Sequence, residues 1–85
     1  MPVSTPYNAD EKELLLRLQE GDHEAFGKLY DTYHYNLVGH LIRLLKSTEL
    51  AKEVAQDTFM ALWEHRDRID VEKPVKPYLF KIAGK

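Results

Sequence analysis

Two long amphipathic stretches separated by only two residues constrain this chain more than any other feature. Residues 23–45 carry Phe26, Leu29, Tyr30, Tyr33, Leu37, Leu41 and Leu44 at the spacing of one helix face, and Val38, Ile42 and Leu45 widen that stripe. Residues 48–70 repeat the character. Between them stand Lys46 and Ser47, with Ser47 placed to cap the second stretch. So short a connection makes the two helices antiparallel neighbours. Such a hairpin buries its stripes only against further helices, so the pattern predicts an all-α bundle of three to four helices.

The flanking segments supply the other helices. Asn8 followed by Glu11 resembles a capping box. A helix then runs to about Glu20, with Leu14, Leu15 and Leu18 on its apolar side. Gly21 is a good residue to end it, and Asp22 can cap the next helix at once. Gly39, inside the second helix, costs roughly 1 kcal/mol against alanine and is expected to mark a close helix contact. The third helix fades between His65 and Arg68. Asp70 to Pro77 reads as a charged, proline-containing loop, and a fourth helix can begin near Pro77. Its apolar side is Tyr78, Leu79 and Ile82, and it looks cut short. The first eight residues, with Pro2, Pro6 and the Ser4–Thr5 pair, read as a flexible leader to a domain over 9–85. No strand-like alternation, repeat or low-complexity tract interrupts this pattern.

Length and composition narrow the function. Eighty-five residues make one domain with a modest core. The absence of cysteine excludes disulfides and thiolate metal or redox sites. No apolar run reaches a membrane span of roughly 18 residues, and the start is not a signal peptide, so a cytoplasmic location is expected. Charge is unevenly placed. Residues 1–65 hold six Lys or Arg and eleven Asp or Glu, whereas residues 66–85 hold six and three. A basic end on an acidic domain suits phosphate backbone, although solvated lysines need no partner.

The third helix carries the sharpest candidate site. At about 100° per residue, Leu50, Ala51, Val54, Ala55, Thr58, Ala61 and Leu62 share one broad core-facing side. Phe59, Met60 and Trp63 fall outside its centre, beside Lys52, Glu53, Gln56 and Asp57. Large apolar groups among charges on an outer face suit a partner-binding surface. Periodicity leaves a second option open, in which Phe59 and Trp63 tuck under a neighbouring helix.

Enzyme chemistry is not indicated. Glu49, Glu53, Asp57 and Glu64 align at helical spacing, but a di-iron bundle needs Glu-x-x-His motifs projecting inward, and these carboxylates belong to none. His23, His34, His40 and His65 form no ligand motif. Neither a phosphate-binding glycine loop nor a nucleophile elbow is present. No cofactor or metal is expected.

Three segments together carry a resemblance. Gly21-Asp22-His23-Glu24-Ala25-Phe26, followed by Leu29-Tyr30 and Tyr33, resembles the opening motif of extracytoplasmic-function (ECF) sigma factors. Ala51-Lys52-Glu53-Val54-Ala55-Gln56-Asp57-Thr58-Phe59, then Leu62-Trp63 and Arg66, is similar to that family's central motif. Tyr78-Leu79-Phe80-Lys81-Ile82-Ala83 looks like its next one. The segments occur in the family's order over about residues 10–85. Departures are Lys52 for an acid, exchanged acid lengths at Glu53 and Asp57, Tyr78 for tryptophan, and Gly84-Lys85 at the end.

The resemblance implies the helical sigma region 2 and a non-catalytic role in transcription initiation. The third helix would dock on the clamp helices of the β′ subunit of core RNA polymerase through Lys52, Glu53, Gln56, Asp57, Phe59, Met60 and Trp63. The loop and last helix would hold the single-stranded non-template strand of the promoter minus-ten element. Lysines suit its phosphates and aromatic faces its bases. The candidates are Lys73, Lys76, Tyr78, Phe80 and Lys81, although for Tyr78 a core position is the favoured reading. The separate upstream-reading domain of the family is not expected within these 85 residues, and an anti-sigma factor is an implied partner. The alternative reading is a helical interaction module with no DNA role.

Overall fold

A computed structural model describes residues 9–84 and shows helices without strands among them. Helix α1 spans Ala9–Gln19, α2 His23–Leu45, α3 Thr48–Glu64 and α4 Val75–Ala83, with a 3-10 turn over Arg66–Arg68. The expected leader and the Asn8 cap lie outside the described residues.

Local signals set the hairpin. Gly21 adopts φ +90°, the left-handed conformation that ends α1. The Asp22 carboxylate accepts from the N–H groups of Glu24 (2.9 Å) and Ala25 (3.4 Å), and Arg17 Nε donates to it at 2.8 Å. At the other end of α2, Lys46 turns left-handed with φ 59° and donates its N–H to the Ile42 carbonyl. Ser47 Oγ then accepts from Leu50 N at 3.2 Å, so α3 starts one residue later.

Packing departs from the expected stripes in an instructive way. The main interface joins α2 to α3; α1 rests on α2, and α4 on α3. Their shared core includes Leu15, Leu18, Leu29, Leu37, Leu41, Ala51, Ala55, Leu62 and Leu79, all essentially inaccessible. The buried side of α3 is Ala51, Ala55, Thr58, Phe59 and Leu62. At about 100° per residue this side is turned by roughly 50° from the expected one. Phe59 moves into the core, and Leu50 moves out to 50% exposure. The cause is an aromatic wall on α2: the Phe59 ring centroid lies 4.7 Å from Tyr30, 6.4 Å from His34 and 6.5 Å from Phe26. Leu44 and Leu45 are also exposed, so the α2 stripe runs on past the core it serves.

Two further expectations are corrected, and one contact was not expected. A Cβ built on Gly39 meets nothing within 4 Å, so this glycine marks no close helix contact. Helix α4 begins at Val75, two residues before the expected start. Pro77 therefore sits within the first turn, where its missing N–H has no intrahelical acceptor to lose. Glu11 caps α4. Its carboxylate accepts from Val75 N at 2.9 Å and from the Tyr33 hydroxyl. Pro74, at the N-cap position, provides no side-chain cap, and the buried Glu11 carboxylate takes its place.

Candidate functional site

The outer face of α3 presents five of the seven expected docking residues. Lys52, Glu53, Gln56, Asp57 and Met60 are exposed. Met60 stands 53% exposed at the centre of this face, flanked by Glu53, Gln56 and Asp57. An unbranched thioether among charges suits an adaptable contact surface.

The two large rings behave differently. Phe59, expected to contact a partner, is 2% exposed and belongs to the core. It supports the face from beneath. Trp63 is part-buried at the rim. Its ring stacks on His23 (4.6 Å between centroids) and meets Phe26 edge-on at 5.4 Å, and the Arg66 guanidinium lies 4.3 Å from its centroid. Arg66 also donates to the Trp63 carbonyl at 2.9 Å. Trp63 thus ties the end of α3 to the start of α2 while keeping some surface accessible.

The expected DNA-contacting residues divide between two sides of α4. Tyr78 stands between two clefts. One, of about 310 Å³, lies between the 3-10 turn and the start of α4; Arg68, Lys73, Pro74 and Tyr78 contribute to its walls. The other, of about 370 Å³, is formed by Ala61, His65, Tyr78, Lys81 and Ile82. The structure therefore brings Lys73, Tyr78 and Lys81 into one region. Lys76 and Phe80 lie elsewhere: the Phe80 ring is 5.0 Å from His40 of α2, and Lys76 Nζ is 5.8 Å from the Phe80 ring. Sequence reasoning missed Arg68 and His65. They were legible only as part of a fading helix end, although Arg68 belongs to the basic segment that follows residue 65.

Two titrating groups bear on the scaffold. Asp22 is held below the usual carboxylate range, first by its hydrogen bond from Arg17 and then by the Ala25 and Glu24 N–H groups. Tyr33 is pushed up, chiefly by burial and then by its bond to Glu11. Among the described residues, no group of three or more His, Asp or Glu is placed to hold a metal ion. No helix of the described residues is long and apolar enough to cross a membrane.

The family model for Sigma-70 region 2 matches residues 29–84, which include both the α3 face and the clefts around Tyr78. The chain belongs to the Sigma-70 region 2 family. Its relatives include the ECF RNA polymerase sigma factor SigW of Bacillus subtilis, 25% identical over 72 residues. They also include the RNA polymerase sigma-H factor of Pseudomonas aeruginosa, 26% identical over 73 residues, and the RNA polymerase sigma factor NccH of Alcaligenes xylosoxydans xylosoxydans, 33% identical over 74 residues. The matches cover 85–86% of this chain but only 38–39% of each relative. No solved structure matches it significantly. The matched stretch holds most of α2 and all of α3 and α4.

Proposed function

We propose that this domain joins a sigma factor to core RNA polymerase and contributes to capture of the promoter minus-ten element. The observation that carries the reading is the α3 face, where exposed Met60 is set among Glu53, Gln56 and Asp57 inside the stretch matched to region 2. This face docks on the β′ clamp helices, with Trp63 at its rim. The clefts beside Tyr78 hold the unpaired non-template strand. Lys73, Lys81 and Arg68 meet its phosphates, and Tyr78 offers a ring to a base. Lys76 and Phe80 extend the contact on the far side of α4. The role is non-catalytic, since the polymerase performs the chemistry, and it places the chain in the cytoplasm. An anti-sigma factor would act by covering the α3 face.

Equilibrium binding to core RNA polymerase tests this reading. The variant of choice is Gln56→Ala/Met60→Ala. Both residues are exposed, whereas Trp63 also holds α2 against α3 and its loss would disturb the fold. The parent is expected to bind, and the folded double variant to bind at least about tenfold more weakly, the equivalent of roughly 1.4 kcal/mol. Failure of the folded parent to bind would refute the proposal.

A further inference from the structure

Helix α1 sends three side chains to one short segment. Gln19 Nε2 donates to the carbonyls of Arg66 (3.0 Å) and Ile69 (2.9 Å). Lys12 Nζ lies 2.8 Å from the Glu72 carboxylate. Glu11 accepts from Val75 N at 2.9 Å. These contacts fall at the start, middle and end of residues 66–75, the segment that forms one wall of the cleft at Tyr78. Hydrogen bonds within the segment include turn-local ones, from Ile69 N to Arg66 O, Lys73 N to Asp70 O, and Glu72 N to Asp70 Oδ1. Bonds of this kind shape a turn but do not fix its position on a bundle.

The three contacts differ in weight. The Lys12–Glu72 pair is exposed and contributes little. Gln19 and Glu11 are stronger ties. Gln19 gives the Arg66 carbonyl a second donor beside Ile69 N and also reaches the Ile69 carbonyl, and Glu11 reaches an amide in the first turn of α4 that has no intrahelical acceptor. Glu11 is 8% exposed and places its carboxylate at the N-terminus of α4, where the helix dipole favours an acceptor. Buried Ile69 and Val75 add apolar anchors beside these two ties. Glu11, Lys12 and Gln19 all precede the stretch matched to region 2, residues 29–84.

We propose that α1 is a splint for the strand-capturing segment. Glu11 and Gln19 are positioning residues that hold the wall from Arg68 to Val75 at a fixed distance from Tyr78, so that the cleft is formed before DNA arrives. This rests on the function proposed above. It predicts that α1 governs DNA capture without touching DNA or polymerase.

The test compares the parent with Gln19→Ala, Glu11→Ala and the conservative Glu11→Gln. Glu11→Gln keeps an acceptor for Val75 N and can donate to the Tyr33 oxygen. Amide hydrogen exchange is read on the free chain. Binding of fluorescein-labelled single-stranded DNA, selected from a random pool by the parent, is read on the complex with core polymerase. Gln19→Ala is expected to speed exchange at Ile69 and Lys73 by about three- to tenfold, because the turns that hold these amides lose an anchor to α1 and open more often. Exchange in the middle of α2 and α3 stays unchanged. Strand affinity falls by a similar factor, while affinity for polymerase holds. Glu11→Ala does the same at Val75, and Glu11→Gln behaves as the parent. Unchanged exchange at Ile69 and Lys73, or an equal rise throughout the helices, would overturn the splint. So would equal strand affinity in parent and variants. No strand binding even by the parent complex would refute the promoter reading instead, and the exchange data would still decide whether α1 holds the segment.

Discussion

The α2–α3 hairpin and the 66–75 segment are held by different kinds of contact. The hairpin is fixed by groups close in sequence. Asp22 caps α2 two and three residues ahead, Lys46 closes it four residues back, and Ser47 caps α3 three residues on. The segment is fixed by groups far away: Gln19 reaches 47 and 50 residues, and Glu11 reaches 64. Local caps make a rigid platform for a docking face. Distant ties make a cleft whose shape depends on another helix staying in place.

The hairpin's own contrast between its faces produces the largest expected effect. Phe59→Ala removes a buried ring from the aromatic wall of α2 and should cost about 3–5 kcal/mol in urea unfolding. Met60→Ala, one residue on but exposed, should stay within roughly 0.5 kcal/mol of the parent. Similar losses for both would mean that the face is not turned as described. A smaller effect of opposite sign comes from Gly39→Ala. The space is open and the backbone is helical, so stability should rise by up to about 1 kcal/mol. A loss would restore the close contact that the sequence suggested.

The smallest effect concerns acid. Asp22 has its pKa lowered in the folded state, so its charge contributes stability above the ordinary carboxylate range. That contribution is lost as pH falls through the depressed folded value. Asn at this position still caps a helix but does not titrate. Asp22→Asn should therefore lower the melting temperature slightly at neutral pH and flatten its decline below about pH 4, where carboxylates protonate. An unchanged acid slope would mean that other carboxylates dominate.

This division also explains what the sequence made legible. The bounds of α2, the start of α3, and Asp22, Ser47 and Gly21 as punctuation follow from near-neighbour chemistry, and they stand as expected. The rotation of α3 does not, because it depends on which rings α2 offers. Phe59 and Leu50 exchanged places for that reason. The tie from Glu11 to α4 was not legible either, because its carboxylate serves an amide 64 residues away. At the candidate site, the polar members of the α3 face were legible because charges on a helix point outward. The grouping of Arg68, His65, Tyr78 and Lys81 was not, because it arises where a turn and two helices converge.

The chain has no cysteine, which allows a direct footprint of the docking face. Single substitutions Gln56→Cys, Met60→Cys and Tyr35→Cys would be labelled with a small maleimide, with and without core RNA polymerase, and read by mass on the released chain. Tyr35 is 85% exposed on α2 and serves as the outward-facing control. Strong protection of Gln56→Cys and Met60→Cys by polymerase, with Tyr35→Cys reacting as before, is the predicted result. Bound polymerase that leaves Met60→Cys fully reactive, or that shields Tyr35→Cys instead, would contradict the assignment of α3 as the docking face.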